Sequence, residues 1–180
     1  MKADETTMTD YGVATEPGTV RFERILPGPI ERIWEYLTDS TKRGTWLATG
    51  EMDLRIGGRV EHVFRNSDLT RDDDPPPAKY ADVADQMSMQ GTITAYDPPR
   101  LLAYTWGQTS GEVTFELTPS ADKVLLVLTH RRLPNRNEML SVAGGWHTHL
   151  GILADRLAGR EPERFWSKIE RLEAEYDRLL

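Results

Sequence analysis

The chain has 180 residues with 22 basic and 29 acidic side chains, a formal net charge of -7, and no cysteine. The absence of cysteine excludes disulfides, thiolate metal sites and a cysteine nucleophile. An acidic chain whose basic residues are not clustered repels phosphate backbones, so we expect no nucleic-acid partner. No apolar run approaches the about 20 residues that span a bilayer, and the first twenty residues lack the apolar stretch of a secretory signal. We therefore expect a cytoplasmic protein without stable membrane insertion.

The N-terminal part of the chain predicts a flexible arm, one strand and two short helices. Residues 1–18 are polar and aperiodic, which favours an arm without regular structure. Residues 19–26 alternate in the manner of a strand. Apolar residues at helical spacing predict a short helix over 29–37, and Asp39 can cap a further helical turn.

The middle of the chain predicts an antiparallel sheet with one buried and one solvated face. Alternating apolar and polar residues favour this arrangement. The predicted strands cover residues 51–54, 59–64, 87–96, 101–106, 111–118 and 123–130. Between the second and third of these, residues 65–86 contain three consecutive aspartates and three consecutive prolines. Such a segment does not pair in a sheet, so we predict an acidic surface loop that can cover a site as a lid.

The C-terminal part of the chain predicts two helices. Trp146, Leu150, Leu153 and Leu157 recur at helical spacing and predict a long helix with one stripe against the sheet. Gly159 ends this helix, and a terminal amphipathic helix follows within residues 161–180. Gly144-Gly145 lacks the flanking strand of a dinucleotide site, so we interpret the pair as allowing close approach of the helix to the sheet.

Several short segments, taken in order, resemble one superfamily. They are Phe22-Glu23-Arg24, Ile30-Glu31-Arg32-Ile33-Trp34, Asp53-Leu54-Arg55-Ile56-Gly57-Gly58, Asp97-Pro98-Pro99-Arg100-Leu101, Leu128-Thr129-His130 and Gly144-Gly145-Trp146. From about residue 20 to about residue 157 the chain resembles the SRPBCC, or START-like, superfamily, and within it the group named after the activator of heat-shock protein 90 ATPase.

The resemblance implies an α+β helix-grip fold. In this fold a curved antiparallel sheet of about six to seven strands wraps around a long C-terminal helix and encloses an apolar cavity. We expect a single domain over 19–180 behind an arm at 1–18. Relatives include lipid and hormone binders and cyclase-type enzymes, so the fold does not select one chemistry. The activator has an additional N-terminal domain for which 180 residues leave no room, so its co-chaperone role is not transferred.

The residues give no strong indication of catalysis or of a metal. His147 and His149 lie two positions apart on a helix, about 200° around its axis, so they cannot ligate one ion together. The three aspartates at 72–74 lack the alternate spacing of a calcium loop. The chain has no G-x-S-x-G elbow. We predict neither a catalytic residue nor a metal or cofactor.

The aromatic residues favour a binding cavity. Trp106 and Trp146 occupy inward positions of a strand and of the long helix, although such rings could instead fill the space between them. The predicted pocket consists of Trp46, His62, Phe64, Tyr104, Trp106, His130, Trp146, His147 and Leu150. The leading hypothesis is a non-catalytic binder of a small, largely apolar molecule, aromatic or lipid-like.

Two other functions remain open. A cyclase- or dehydratase-type enzyme could use the same pocket, with a histidine or Tyr104 moving protons. Alternatively, the cavity is closed and the outer surface binds a protein partner. Leu125 and Val127 are more apolar than their outward neighbours and motivate an interaction module or a homodimer.

Overall fold

A computed structural model describes residues 10–72 and 74–180. The strands are β1 (Val13–Glu16), β2 (Thr19–Pro27), β3 (Arg59–Phe64), β4 (Met87–Asp97), β5 (Leu101–Thr105), β6 (Glu112–Ser120) and β7 (Lys123–Arg131). The helices are α1 (Ile30–Thr38), α2 (Ser40–Arg43), α3 (Arg136–Ala158) and α4 (Phe165–Leu179). Short 3-10 turns form at Asn66–Asp68 and Ala78–Tyr80. Among the described residues, no helix is both long enough and apolar enough to cross a membrane.

The strands form one seven-stranded antiparallel sheet in the order β1-β2-β7-β6-β5-β4-β3. Strands β4 to β7 follow one another as a meander, and β2 returns to pair with β7. The alternation of the sequence sets the register, because a shift by one residue would turn every apolar side chain outward. Phe22 thus lies opposite Leu128, and Leu128 lies opposite Phe115, with all three buried. The predicted helix-grip fold is confirmed.

The long helix α3 packs over the inward face of this sheet. Its N-cap is Asn135, whose side chain accepts a hydrogen bond from the backbone N–H of Glu138. Its C-cap is Gly159 in the left-handed conformation (φ 71°), the position at which a glycine carries no steric penalty. Helix α4 packs against the other side of α3, so residues from 146 to 150 of α3 are all buried.

The described part of the predicted arm contains a strand. Val13–Glu16 pairs with β2 across a turn at Gly18 (φ 74°), and the Gly12 backbone N–H donates to the Tyr176 hydroxyl of α4 at 2.7 Å. The prediction of an unstructured arm is therefore wrong for this stretch. All four residues of β1 are exposed, so the sequence carries no alternation that could reveal it. Residues 1–9 of the predicted arm lie outside the described residues.

The segment 51–54 is not a strand, contrary to the prediction. Within it, Met52 forms an isolated bridge to Val60 of β3, and just before it Thr49 forms another to Val63. Gly50 adopts φ 124°, and a Cβ there would lie 2.0 Å from the Glu61 carbonyl oxygen, so the backbone leaves the extended path beside β3. The irregular segment covers the outer edge of β3 instead of extending the sheet.

The segment 65–86 packs against helices α3 and α4. Its described residues include the two 3-10 turns, and Leu69 and Ala84 are buried in the core. The Trp166 indole N–H of α4 donates to the Ser67 hydroxyl at 3.1 Å. The segment is thus attached to the domain at several points.

Candidate binding cavity

A cavity of about 320 Å³ lies between α3 and the β3–β5 end of the sheet. Helix α4 and the 65–86 segment complete its walls. The lining residues are Leu47, Phe64, Asn66, Tyr80, Met87, Trp106, Glu138, Ser141, Val142, Gly145, Trp146, His149, Phe165 and Ile169. Most of these side chains are apolar or aromatic, which is typical of small-molecule pockets. Glu138, the one carboxylate among them, is exposed.

Two tryptophans form adjacent walls of the cavity. The Trp106 and Trp146 ring centroids lie 5.1 Å apart, with the ring planes inclined by 57°. Trp106 also contacts Phe64 edge-on at 6.1 Å, and Tyr104 stacks behind it at 6.3 Å. These tilted and edge-on arrangements are those that aromatic quadrupoles favour. The rings line the cavity without closing it.

His130 fixes the orientation of Trp146. The Trp146 indole N–H donates to His130 Nδ1 at 3.0 Å. An indole nitrogen can only donate, so Nδ1 is the unprotonated nitrogen of the His130 ring and Nε2 carries the hydrogen. That Nε2 is buried without a hydrogen-bond partner among the described residues. Burial lowers the His130 pKa to about 4, so the ring is neutral at physiological pH.

His62 and Tyr104 form a second buried pair behind the cavity wall. His62 Nε2 and the Tyr104 hydroxyl lie 2.8 Å apart, and both side chains are fully buried. Burial, together with the nearby positive charge of the Arg43 guanidinium, lowers the His62 pKa to about 3. Burial also raises the Tyr104 pKa well above its usual value. Both groups therefore stay neutral at pH 7.

Arg43 is a buried cation that carbonyl oxygens hold. It donates to the carbonyls of Ala48 (3.1 Å), Leu37 (3.2 Å), Thr38 (3.2 Å) and Gly50. These bonds fix the chain between α1 and β3 that carries Leu47 to the cavity. The guanidinium has a structural role because its donors are directed at the backbone.

His149 is the histidine that lines the cavity. Its Nδ1 lies 2.8 Å from the Trp46 carbonyl oxygen, and its ring lies 5.2 Å from Phe165 and 6.3 Å from Phe64. Burial lowers the His149 pKa to about 4, an effect that the hydrogen bond to the Trp46 carbonyl partly offsets. The ring is neutral at pH 7 and firmly oriented.

Tyr80 attaches the 65–86 segment over the cavity. Its hydroxyl lies 3.1 Å from the Ser141 hydroxyl of α3 and donates to the Glu173 carboxylate of α4. Its ring packs on Trp166 at 5.5 Å. Lys79 forms an ion pair with the same glutamate at 2.5 Å. One tyrosine thus links the segment to both helices at the rim.

Most of the chain matches the sequence model of a known family. The sequence model of the family described as Activator of Hsp90 ATPase homolog 1-like protein matches residues 27–158. The chain belongs to this family. The resemblance inferred from the sequence motifs is therefore confirmed. No curated protein is significantly similar in sequence to the chain.

Several solved structures have the same fold as this chain. A protein from Bordetella parapertussis is 42% identical, aligns over 100% of this chain and 96% of its own, and has a TM-score of 0.80. CalU16 from Micromonospora echinospora is 20% identical over 94% of each chain, with a TM-score of 0.66. DynU16, from the dynemicin biosynthetic locus, is 20% identical over 83% of this chain and 51% of its own, with a TM-score of 0.61. At that identity, the latter two show the fold alone.

The structure divides the nine predicted pocket residues of this family member into three groups. Phe64, Trp106 and Trp146 line the cavity. His62, Tyr104 and His130 form the aromatic layer that contacts Trp106 from behind. Trp46, His147 and Leu150 do not reach the cavity.

The last group has other partners. Trp46 is fully buried, and its indole N–H donates to the Tyr36 carbonyl at 2.8 Å. Leu150 is fully buried in the core. His147 turns away, with Nδ1 2.8 Å from the Tyr176 hydroxyl of α4, because it lies about 100° from Trp146 around α3. His149, three positions after Trp146, lies nearly below it and was missed. The i, i+3 spacing from Trp146 was the signal that could have found it.

The two adjacent glycines of α3 have different environments. A Cβ on Gly144 would lie 2.9 Å from Glu173 Cγ, so this glycine allows close approach of α4. Gly145 lines the cavity, and a Cβ there would meet no atom within 4 Å. The interpretation that the pair serves approach to the sheet is wrong, because α3 presents this stretch to α4 and to the cavity. Among the described residues, no group of three histidine, aspartate or glutamate side chains converges on a metal position.

Proposed function

We propose that the protein binds a small, largely apolar molecule, aromatic or lipid-like, in the cavity between α3 and the sheet. The observation that carries the proposal is the cavity of about 320 Å³ with Trp106 and Trp146 on its walls. This volume lies at the lower end of the about 300 to 1,000 Å³ of small-molecule pockets. A flat ring system is the shape that aromatic walls contact best.

The histidine chemistry favours binding over catalysis. A general base works best when its pKa lies near the operating pH. The pKa of His149 is lowered to about 4 and that of His62 to about 3, so both are weak bases at pH 7. His130 has its unprotonated nitrogen occupied by the Trp146 indole. These groups are therefore poorly suited to take a proton from a bound molecule.

The surface gives less support to an interaction module. Val127 is 9% exposed and Leu125 is half-buried, so the two residues that motivated this hypothesis add little exposed apolar area to the outer face. A homodimer that used this face would have the same small apolar contact area. Both remain less favoured alternatives to the binding function.

A dye titration tests the proposal. The neutral dye N-phenyl-1-naphthylamine should bind with a stoichiometry near one and quench tryptophan emission from Trp106 and Trp146. Gly145→Leu should remove this binding, because Gly145 lines the cavity, its added Cβ would meet no atom within 4 Å, and the leucine side chain would take up the space of the ligand. Ala158→Leu is the matched control, since it places the same leucine side chain at an exposed position of α3. Folded wild-type protein that binds no dye, or equal binding by both variants, would contradict the proposal.

A further inference from the structure

We propose that the bound molecule is a hydroxylated aromatic of the phenol class, whose hydroxyl donates a hydrogen bond to Nε2 of His149. This inference rests on the proposed binding function and adds the chemical class of the ligand. It concerns one acceptor atom on a wall of mostly apolar and aromatic side chains, to which Asn66, Tyr80, Glu138 and Ser141 also contribute. Three observations support it: the tautomer of His149, the absence of a partner for Nε2, and the character of the surrounding walls.

The protein backbone sets the tautomer of His149. Nδ1 lies 2.8 Å from the Trp46 carbonyl oxygen, and a carbonyl can only accept a hydrogen bond. Nδ1 therefore carries the hydrogen and donates it. The ring is neutral at pH 7, since burial lowers the pKa of His149 to about 4. A neutral imidazole has one N–H, so Nε2 holds a lone pair and can only accept.

No described residue donates a hydrogen bond to Nε2. Two other histidine nitrogens, His62 Nδ1 and His130 Nε2, are unpaired and fully buried, whereas His149 Nε2 is unpaired but not fully buried. It therefore keeps accessible surface, and the open space beside His149 is the cavity. A ligand that covers this atom without donating to it would leave a buried acceptor without a hydrogen bond, which is unfavourable.

The rest of the cavity selects among donors. Ketones, ethers and carboxylates would place a lone pair against the lone pair of Nε2. An ammonium group would lose its hydration with only the exposed Glu138 as a carboxylate on the walls. The Tyr80 and Ser141 hydroxyls already bond to each other and Tyr80 bonds to Glu173. A neutral hydroxyl on an aromatic ring satisfies Nε2 and lets the ring contact Trp106 and Trp146.

A series of three ligands of similar shape tests this inference by calorimetry or tryptophan quenching. The probes are 2-naphthol, 2-methoxynaphthalene and naphthalene. Wild-type protein should bind 2-naphthol about tenfold more tightly than the other two, the discrimination that one buried hydrogen bond gives. His149→Leu should bind all three with similar affinity. His147→Leu removes the other buried histidine of α3, which does not line the cavity, and should keep the preference.

A second measurement needs no variant and covers the case that His149→Leu does not fold. Long-range nitrogen–proton NMR of the wild-type protein should show that Nδ1 of His149 is protonated and that Nε2 is unprotonated. The Nε2 resonance should shift on addition of 2-naphthol and stay nearly unchanged on addition of naphthalene.

The outcomes separate the two proposals. Equal affinity of wild-type protein for the three probes, or a protonated Nε2, would overturn the phenol inference and leave the binding function standing. Failure of all three probes to bind would overturn both. Tight binding of 2-naphthol that His149→Leu weakens selectively would support both.

Discussion

At the scale of single residues, hydrogen bonds that the sequence could not reveal orient the cavity walls. Alternation along β5 predicted that Tyr104 faces inward, and the structure buries it. Alternation gives no information on partners, however. The bond from the Trp146 indole to His130 joins residues 16 positions apart on a helix and a strand. The sequence indicated that both face inward, whereas their contact depends on how α3 sits on the sheet.

The Trp146–His130 hydrogen bond should contribute to stability. His130→Leu leaves the buried indole N–H of Trp146 without an acceptor, which should lower the free energy of unfolding by about 1 to 3 kcal/mol. The double variant of His130→Leu and Trp146→Phe leaves no polar group unpaired at this position. Its loss of unfolding free energy should therefore be smaller than the sum of the losses of the two single variants. Urea unfolding of the four proteins measures this coupling. Strictly additive losses would show that the bond is unimportant.

At the scale of elements, α3 is the part whose orientation was hardest to predict. Its sequence suggested one apolar stripe, but the helix packs against the sheet on one side and α4 on the other. Because both sides of α3 are buried, its apolar residues do not form a single stripe. Periodicity alone therefore did not show which of His147 and His149 faces the cavity. Strands β2 to β7 were predicted well because apolar and polar residues alternate along them. Strand β1 was missed because its four residues are all exposed.

The two glycines of α3 should respond in opposite directions to alanine. Gly145→Ala should raise the free energy of unfolding by about 0.5 to 1 kcal/mol, since alanine is the better helix former and its methyl group enters open space. Gly144→Ala should lower it, because the methyl group would press on Glu173, which Tyr80 and Lys79 hold in place. Thermal or urea unfolding compares the two variants. A similar effect at both positions would contradict this assignment.

The 65–86 segment should loosen when its link to the helices is cut. Tyr80→Phe keeps the ring on Trp166 but removes the hydroxyl bonds to Ser141 and Glu173. We expect faster limited proteolysis within this segment and faster exchange of a bound dye, with little change in global stability. Tyr36→Phe, a half-buried tyrosine on α1 that does not line the cavity, is the control. Unchanged proteolysis and dye exchange in Tyr80→Phe would show that the hydroxyl does not hold the segment.

At the scale of the whole molecule, all four histidines are buried and neutral. Burial lowers their pKa values to about 3 for His62 and His147 and to about 4 for His130 and His149. In the unfolded chain a histidine titrates near its ordinary value of about 6.5. Below that pH the unfolded state binds more protons than the folded state, so stability falls as the pH falls.

Acid should therefore unfold the protein within a narrow range. Stability should be constant above about pH 7 and fall between about pH 6.5 and pH 4, by up to about 1.4 kcal/mol per pH unit for each histidine. The four histidines together give up to about 5.5 kcal/mol per pH unit. This is a large share of the about 5 to 15 kcal/mol that stabilises a typical domain. Urea unfolding at pH 7.5, 6.0 and 5.0 measures the slope. Equal stability at all three values would contradict the burial of neutral histidines.

The most direct test of the account is a crystal structure of the protein with 2-naphthol. It should show the naphthalene ring between α3 and the sheet, in contact with Trp106 and Trp146, with the hydroxyl oxygen at hydrogen-bond distance from His149 Nε2. Packed side chains in place of the cavity, with 2-naphthol absent or bound only on the outer surface, would contradict the account.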